Sequence, residues 1–244
     1  MISSWLSPLR SLALCALAAV PFDAGAGAFQ VSPVRIDLGG PALTAAVTVR
    51  NDGAEPVVIQ STIVAWSQAN GQDAYAPTND ALATPPLATI PPGGEQIVRV
   101  GMRRPPDRHA ELAYRLYVLE VPATTRPLQT SLQVALRVGI PVFVAPAEPA
   151  SRKLDWSAVM ASDGELQLKV NNRGNTHLQV AAMTVVAPDS RREFARQHGL
   201  AYVLAGQARE WVMKLAGIDP QVQSVTLHLT GDAGESDETV PLVR

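Results

Sequence analysis

Four histidines are the residues best suited to acid–base or metal chemistry, and they stand far apart at His109, His177, His198 and His228. No two are spaced as i,i+4 helix neighbours, and no H-E-x-x-H pattern occurs, so the chain offers no sequence-local zinc site. Cys15 is the only cysteine, and it falls in a stretch read below as a leader. The mature chain then has no thiol to serve as nucleophile or metal ligand. There is no G-x-S-x-G elbow, phosphate loop or dinucleotide fingerprint. Carboxylates such as Asp155 and Glu165 fall at strand ends, where solvation is a simpler reading than an acid–base pair. The expectation is a protein that is not an enzyme and uses no cofactor or metal.

What the sequence does carry is the chemistry of a surface. Over Gln129–Val144, Leu132, Val134, Leu136, Val138 and Ile140 share one face, while Ser131, Gln133, Ala135, Arg137 and Gly139 share the other. A period of two with one apolar face marks a β-strand. The run is long against the about five or six residues of an ordinary strand. It is also the last of its set, which places it at a sheet edge. A long apolar edge invites aggregation unless another strand covers it. The pattern therefore predicts β-augmentation, in which a backbone ladder gives affinity and alternate side chains fill a groove on the partner. The same edge suits self-capping by a homodimer.

The elements that must position this strand are all short and β-like. Twenty prolines and seventeen glycines punctuate the chain, and long helical periodicity is missing. Ala45–Arg50 alternates and runs into an Asn51-Asp52-Gly53 turn before the apolar strand Val57–Trp66, which together read as a hairpin. Thr84-Pro85-Pro86 and Pro91-Pro92-Gly93-Gly94 bracket a short edge strand or bend. Gln96–Val100 and Leu112–Val121 alternate in turn. Such spacing predicts an immunoglobulin-like sandwich. A Pro-rich linker, Pro146-Ala147-Glu148-Pro149-Ala150, ends it. A smaller set follows: Leu154–Met160, Leu166–Asn171, His177–Val186, Glu210–Leu215, Val222–Leu229 and Thr239–Val243, with Arg191–His198 read as a helical turn or loop. Val47-x-Val49-x-Asn51-x-Gly53 recurs as Leu168-x-Val170-x-Asn172-x-Gly174, an internal echo that argues for two like domains. The fold class expected is all-β: two immunoglobulin-like β-sandwich domains joined by the Pro-rich linker.

Residues 1–28 read as a secretory leader. Arg10 precedes the apolar run Leu12–Val20, and the small residues Ala24–Ala28 follow. The run is shorter than the roughly 20 apolar residues of a membrane span, so cleavage after Ala28 and a mature start at Phe29 are expected, with no membrane insertion. Stability must then come from apolar burial without disulfides, which 47% hydrophobic residues allow. A net charge of −2 excludes the basic footprint of a nucleic-acid binder. The domain plan is a leader over 1–28, an N-terminal domain over 29–146 and a C-terminal domain over 147–244.

Taken in order, a set of short patterns resembles the PapD-like periplasmic chaperones of chaperone–usher pili, nearest the archaic, Csu-type branch. These are Val31-Ser32-Pro33-Val34-Arg35-Ile36, Asn51, Trp66, Thr84-Pro85-Pro86, Pro91-Pro92-Gly93, Tyr114-Arg115 through Glu120-Val121-Pro122, and Ala135–Val144, with Asn172-x-Gly174-Asn175-x-His177 and Leu204-Ala205-Gly206 in the second half. The resemblance implies a periplasmic chaperone whose last N-domain strand completes pilus subunits that lack their own final strand. An outer-membrane usher then exchanges that strand for another subunit's extension. It also implies a carboxylate anchor between the domains, made in the family by an Arg on the first strand and a Lys on the donor strand. Arg35 matches the first. Pro141 stands at the Lys position, so the second cation must come from elsewhere, with Arg115 first and Arg137 second. The alternative is an exported pilus subunit or adhesin. Two full strand sets and a mature N-terminus, Phe29–Pro33, with little room for a free donor extension weigh against it.

Overall fold

A computed structural model describes residues 29–122, 135–161, 164–188, 192–219 and 221–244, and all regular structure among them is β. The first ten strands are β1 (Phe29–Ser32), β2 (Ile36–Leu38), β3 (Thr44–Asn51), β4 (Val57–Ala69), β5 (Gln72–Pro77), β6 (Ala81–Thr84), β7 (Leu87–Ile90), β8 (Glu95–Met102), β9 (Leu112–Glu120) and β10 (Arg137–Val144). One layer runs β1-β3-β8-β6; the other runs β2-β10-β9-β4-β5, with β7 also paired to β4. Alternation puts Val47, Val49, Val98 and Val100 of the first layer against Ile59, Leu116, Val118, Ile140 and Val142 of the second, all buried. The chain changes layer at Ser32-Pro33 and again at Thr84-Pro85, and both peptide bonds are cis.

The expected hairpin between the second and third apolar runs does not form. β3 pairs with β1 and β8, whereas β4 pairs with β5, β7 and β9. Asn51 explains the difference. It is fully buried, its Oδ1 accepts from Gly53 N at 2.9 Å, and its Nδ2 donates to Glu55 O and Ile90 O at 2.7 and 3.0 Å. The side chain thus holds a corner that carries the chain across the core, an Asx-type turn. Asn172 repeats all three bonds, with Gly174 N, Thr176 O and Val203 O at 2.9, 2.8 and 3.1 Å. The internal echo is a repeated buried amide, and neither Gly53 nor Gly174 has a left-handed backbone.

The remaining strands are β11 (Leu154–Met160), β12 (Glu165–Asn172), β13 (Leu178–Val186), β14 (Glu193–Val203), β15 (Ala208–Lys214), β16 (Ser224–Gly231) and β17 (Gly234–Val243). Their order is β14-β13-β16-β17-β11-β12-β15, and the two halves join through a short parallel contact of β11 with β17. The sheet folds over a core that includes Leu166, Leu168, Val170, Val185, Val225 and Leu227. The segment Arg191–His198, read as a helical turn or loop, is mostly strand: Glu193–His198 opens β14. Its polar residues face water from a sheet edge while Phe194 points inward. A register shift between Val180 and Ala182 of β13 further blurs the period.

Tyr114 sits in the N-terminal core, 3% exposed, with its hydroxyl 3.3 Å from Asp80 Oδ2. Burial, then the Asp80 charge, pushes its pKa from 10.0 up to about 12. In the unfolded chain the phenol ionises first, so its contribution to stability is complete below pH 10 and is lost as pH rises toward 12. Denaturant midpoints measured across that window fall for the native chain, and Tyr114→Phe makes the fall shallower.

Candidate binding edge and interdomain cleft

Strand β10 has different neighbours at its two ends. Its antiparallel ladder to β9 runs from Arg137↔Leu119 to Val144↔Leu112. On the other side, β2 pairs in parallel with Val142–Val144 alone. Arg137–Pro141 therefore has a ladder on one side and no described strand on the other, so backbone donors and acceptors are turned outward there. Of the predicted dry face, Leu132 and Val134 lie outside the described residues. Leu136 and Val138 are half-buried against the domain's own core, and Ile140 is wholly inside it. The apolar face thus passes from partly accessible to internal along one strand.

The opposite face of β10 carries the cations. The Arg137 guanidinium lies 3.8 Å over the Tyr117 ring, and Tyr117 meets Tyr75 edge-on at 6.0 Å. Arg115 lies 4.0 Å over Trp66 and donates from Nη1 to Gly139 O at 3.4 Å. Gly139 leaves room for this: a Cβ there would come within 3.1 Å of Tyr117. Arg115 is the cross-strand partner of Pro141, and directly opposed residues of an antiparallel pair point to the same face. The arginine therefore projects from beside the position where the resemblance calls for a lysine.

Trp66 and Phe143, 5.8 Å apart, carry this face into the cleft between the sandwiches, where Tyr202 and Leu204 of the second domain close over them. Phe143 stacks on His177 at 3.7 Å and 14°. Backbone bonds fix the docking, from Glu111 N to Asn175 O at 2.9 Å and from Glu210 N to Gly71 O at 3.2 Å. Gln68 Nε2 donates to Tyr202 O at 2.7 Å, its Oε1 accepts from Leu204 N at 3.1 Å, and Arg209 pairs with Asp73 at 2.9 Å.

Arg35, just ahead of β2, reaches across this boundary. Its guanidinium is 5.4 Å from the Phe143 ring centroid. Nε donates to Asp37 at 2.9 Å; Nη1 donates to Asp232 Oδ2 at 3.2 Å and to Gln179 Oε1 at 3.4 Å. Burial lowers its pKa, but hydrogen bonds and charge from Asp37 and Asp232 outweigh that, and the net shift is upward. His177 is buried beside it, with Nδ1 2.7 Å from Glu111 Oε1. The structure thus puts Arg35 and Arg115 on the two ends of the Trp66–Phe143 pair and leaves Arg137 on Tyr117.

Three buried nitrogens here, Trp66 Nε1, Arg115 Nε and His177 Nε2, have no hydrogen-bond partner among the described residues. A buried polar group left unmatched costs about 1–3 kcal/mol, so the packing of Trp66, Arg115 and His177 at this cleft carries a local polar cost that the aromatic contacts around them offset. No sequence pattern singles out Glu111, Arg152 or Asp232, and His177 stands out only as one of four scattered histidines and as part of a motif. No local pattern marks them, because they come from four separate segments; the Gly231-Asp232 turn between two alternating runs is the one signal available.

The comparisons agree with this architecture. No curated protein matches the chain in sequence. Among solved structures, a chain of the CsuC–CsuE chaperone–tip adhesion subunit pre-assembly complex from archaic Csu pili of Acinetobacter baumannii is similar over 89% of this chain and 99% of its own, at 18% identity and a TM-score of 0.66. The YadV chaperone is similar over 87% and 99%, at 22% identity and a TM-score of 0.59. A structure of the Salmonella enterica SafA pilin with the SafB chaperone matches over 89% and 97%, at 19% identity and a TM-score of 0.58. The family model for pili and flagellar-assembly chaperones, PapD N-terminal domain, matches residues 28–150, from the start of β1 through the whole of β10 and into the linker, and the chain belongs to that family.

Proposed function

We propose that this chaperone works in the periplasm, holding a pilus subunit by donor-strand complementation and passing it to an outer-membrane usher, with no enzymatic step. The observation that carries the proposal is the open backbone edge at Arg137–Pro141, flanked by half-buried Leu136 and Val138. A subunit strand laid along that edge would extend the β10–β9 sheet, and Leu132, Val134, Leu136 and Val138 would supply apolar side chains to its groove. Full burial of each is worth about 1.5–3 kcal/mol before ordering costs. Ile140, committed to the chain's own core, would seat the strand's base. Residues 29–146 act as the gripping domain and 147–244 as the wall of the cleft, after export directed by residues 1–28. The solved SafB–SafA and CsuC–CsuE complexes pair relatives with a pilin and a tip adhesion subunit, which supports a subunit as the occupant.

Arg35 and Arg115 anchor the subunit's terminal carboxylate in this reading, since guanidinium forks match two carboxylate oxygens. Arg137, stacked on Tyr117, steadies the upper edge. Co-expression with the cognate subunit tests the assignment. The pair co-purifies from the periplasm, and Arg115→Ala lowers recovery about tenfold, the scale of one charge-assisted contact, while Arg50→Ala leaves it unchanged. Equal recovery from both variants would remove Arg115 from the anchor.

A further inference from the structure

Arg35 meets a carboxylate already within its own chain. Asp232 sits in the two-residue turn between β16 and β17, and its oxygens face three groups. Arg35 Nη1 lies 3.2 Å from Oδ2, Arg152 Nη2 3.5 Å from Oδ1, and His177 Nε2 3.7 Å from Oδ2. Two guanidinium groups from opposite domains and a buried imidazole edge thus converge on one carboxylate. That His177 nitrogen has no hydrogen-bond partner and its ring is fixed, by stacking on Phe143 and by Glu111 at the other nitrogen. The turn is also fixed. A Cβ at Gly231 would lie 2.0 Å from Gln179 O, so the hairpin tip sits hard against β13, whose Gln179 side chain contacts Arg35 as well.

We propose that Arg35, Arg152 and His177 form a carboxylate cradle that Asp232 fills in the free chain, and that an incoming α-carboxylate must exchange with Asp232 to reach Arg35. The inference rests on the reading of Arg35 as the anchor and adds an internal competitor to it. Its physical basis is charge. Without Asp232, Arg35 keeps Asp37 as its one anionic partner here and only the neutral Gln179 amide at Nη1, whereas Asp232 gives Nη1 an anion without a ligand. Removing that competitor frees the fork for the ligand. The exchange also gives discrimination: a neutral group cannot displace an aspartate from two arginines, but a carboxylate can. Arg152 and His177 would retain Asp232 as it turns from Arg35, so the displaced charge is not left unpaired.

The test uses the mature protein and two small probes, N-acetylphenylalanine and its C-terminal amide, titrated by NMR at the arginine Nε–H signals. Asp232→Asn keeps the shape of the turn and removes the charge. The expected result is carboxylate binding about two- to fivefold tighter than in the native chain, the scale of one partly exposed ion pair, with amide binding unchanged. Arg35→Ala abolishes the carboxylate preference in both the native and Asp232→Asn backgrounds. If Asp232→Asn binds the carboxylate no tighter while Arg35→Ala still loses it, the competitor is refuted and the anchor stands. If Arg35→Ala keeps the preference, the anchor itself falls and the competitor with it. A mere loosening of the domains by Asp232→Asn would change both probes alike, and that outcome also refutes the exchange.

Discussion

Val138→Asp leaves the isolated protein folded but unable to retain a pilus subunit, whereas Ile140→Asp, two residues further along the same face, unfolds the N-terminal sandwich. The contrast follows from where each side chain ends. Val138 is half-buried at a strand edge that no described strand covers, so a carboxylate there can turn toward water, at a cost of about 1–2 kcal/mol in lost apolar contact. Once a subunit strand pairs with that edge, the same carboxylate is trapped in an apolar groove, where an unpaired charge is far more costly. Ile140 is 0% exposed between the two layers and has no route to solvent. Thermal unfolding and size exclusion separate the two variants, and co-purification with the subunit reads out capture. Leu136→Asp and, from the sequence pattern, Val134→Asp behave as Val138→Asp does. Subunit recovery unchanged in all three would end the donor-strand reading.

Phe143→Ala lowers stability by about 3–5 kcal/mol, the range for truncating a buried aromatic. It also separates the unfolding of the two sandwiches. Phe143 is 1% exposed and sits at the centre of the cleft, with His177 at 3.7 Å, Tyr202 at 5.3 Å and Trp66 at 5.8 Å. Its ring is thus shared by both domains, unlike any residue of the two separate cores. Removing it leaves a void that the Glu111–Asn175 and Gly71–Glu210 backbone bonds hold open. Calorimetry on the native chain gives one concerted transition and on the variant two. A loss below about 1 kcal/mol, or a single transition in the variant, would show that the docking rests on the hydrogen bonds alone.

The sites differ in how far they could be read from the chain. Leu136, Val138 and Ile140 stand out because period-two alternation is a local property of a strand. Their unequal depth could not be read, because it depends on β2 covering only Val142–Val144. Arg115 could be named only by resemblance, from the proline at 141. The reason it fits, that it lies directly across from Pro141 and on the same face, is a matter of register. Asp232, Arg152 and Glu111 were silent, since a cradle drawn from distant turns and a linker leaves no spacing to detect.

Asn51 and Asn172 show the same division in the fold. The recurring [Val/Leu]-x-Val-x-Asn-x-Gly pattern signals two like units, but on its face it predicts a hairpin turn. A turn sequence specifies a reversal of the chain without saying which neighbour the next strand will join. That choice was made by the buried amide, which bonds to Ile90 O in one domain and Val203 O in the other, each far away in sequence. Sequence alone determined the β class and the period-two apolar face through Leu136, Val138 and Ile140, because these are set by residue type and period within a few positions. The tertiary structure decided which part of that strand stays open, where Arg115 projects and what holds Arg35, because pairing partners and converging charges come from segments the chain brings together only on folding.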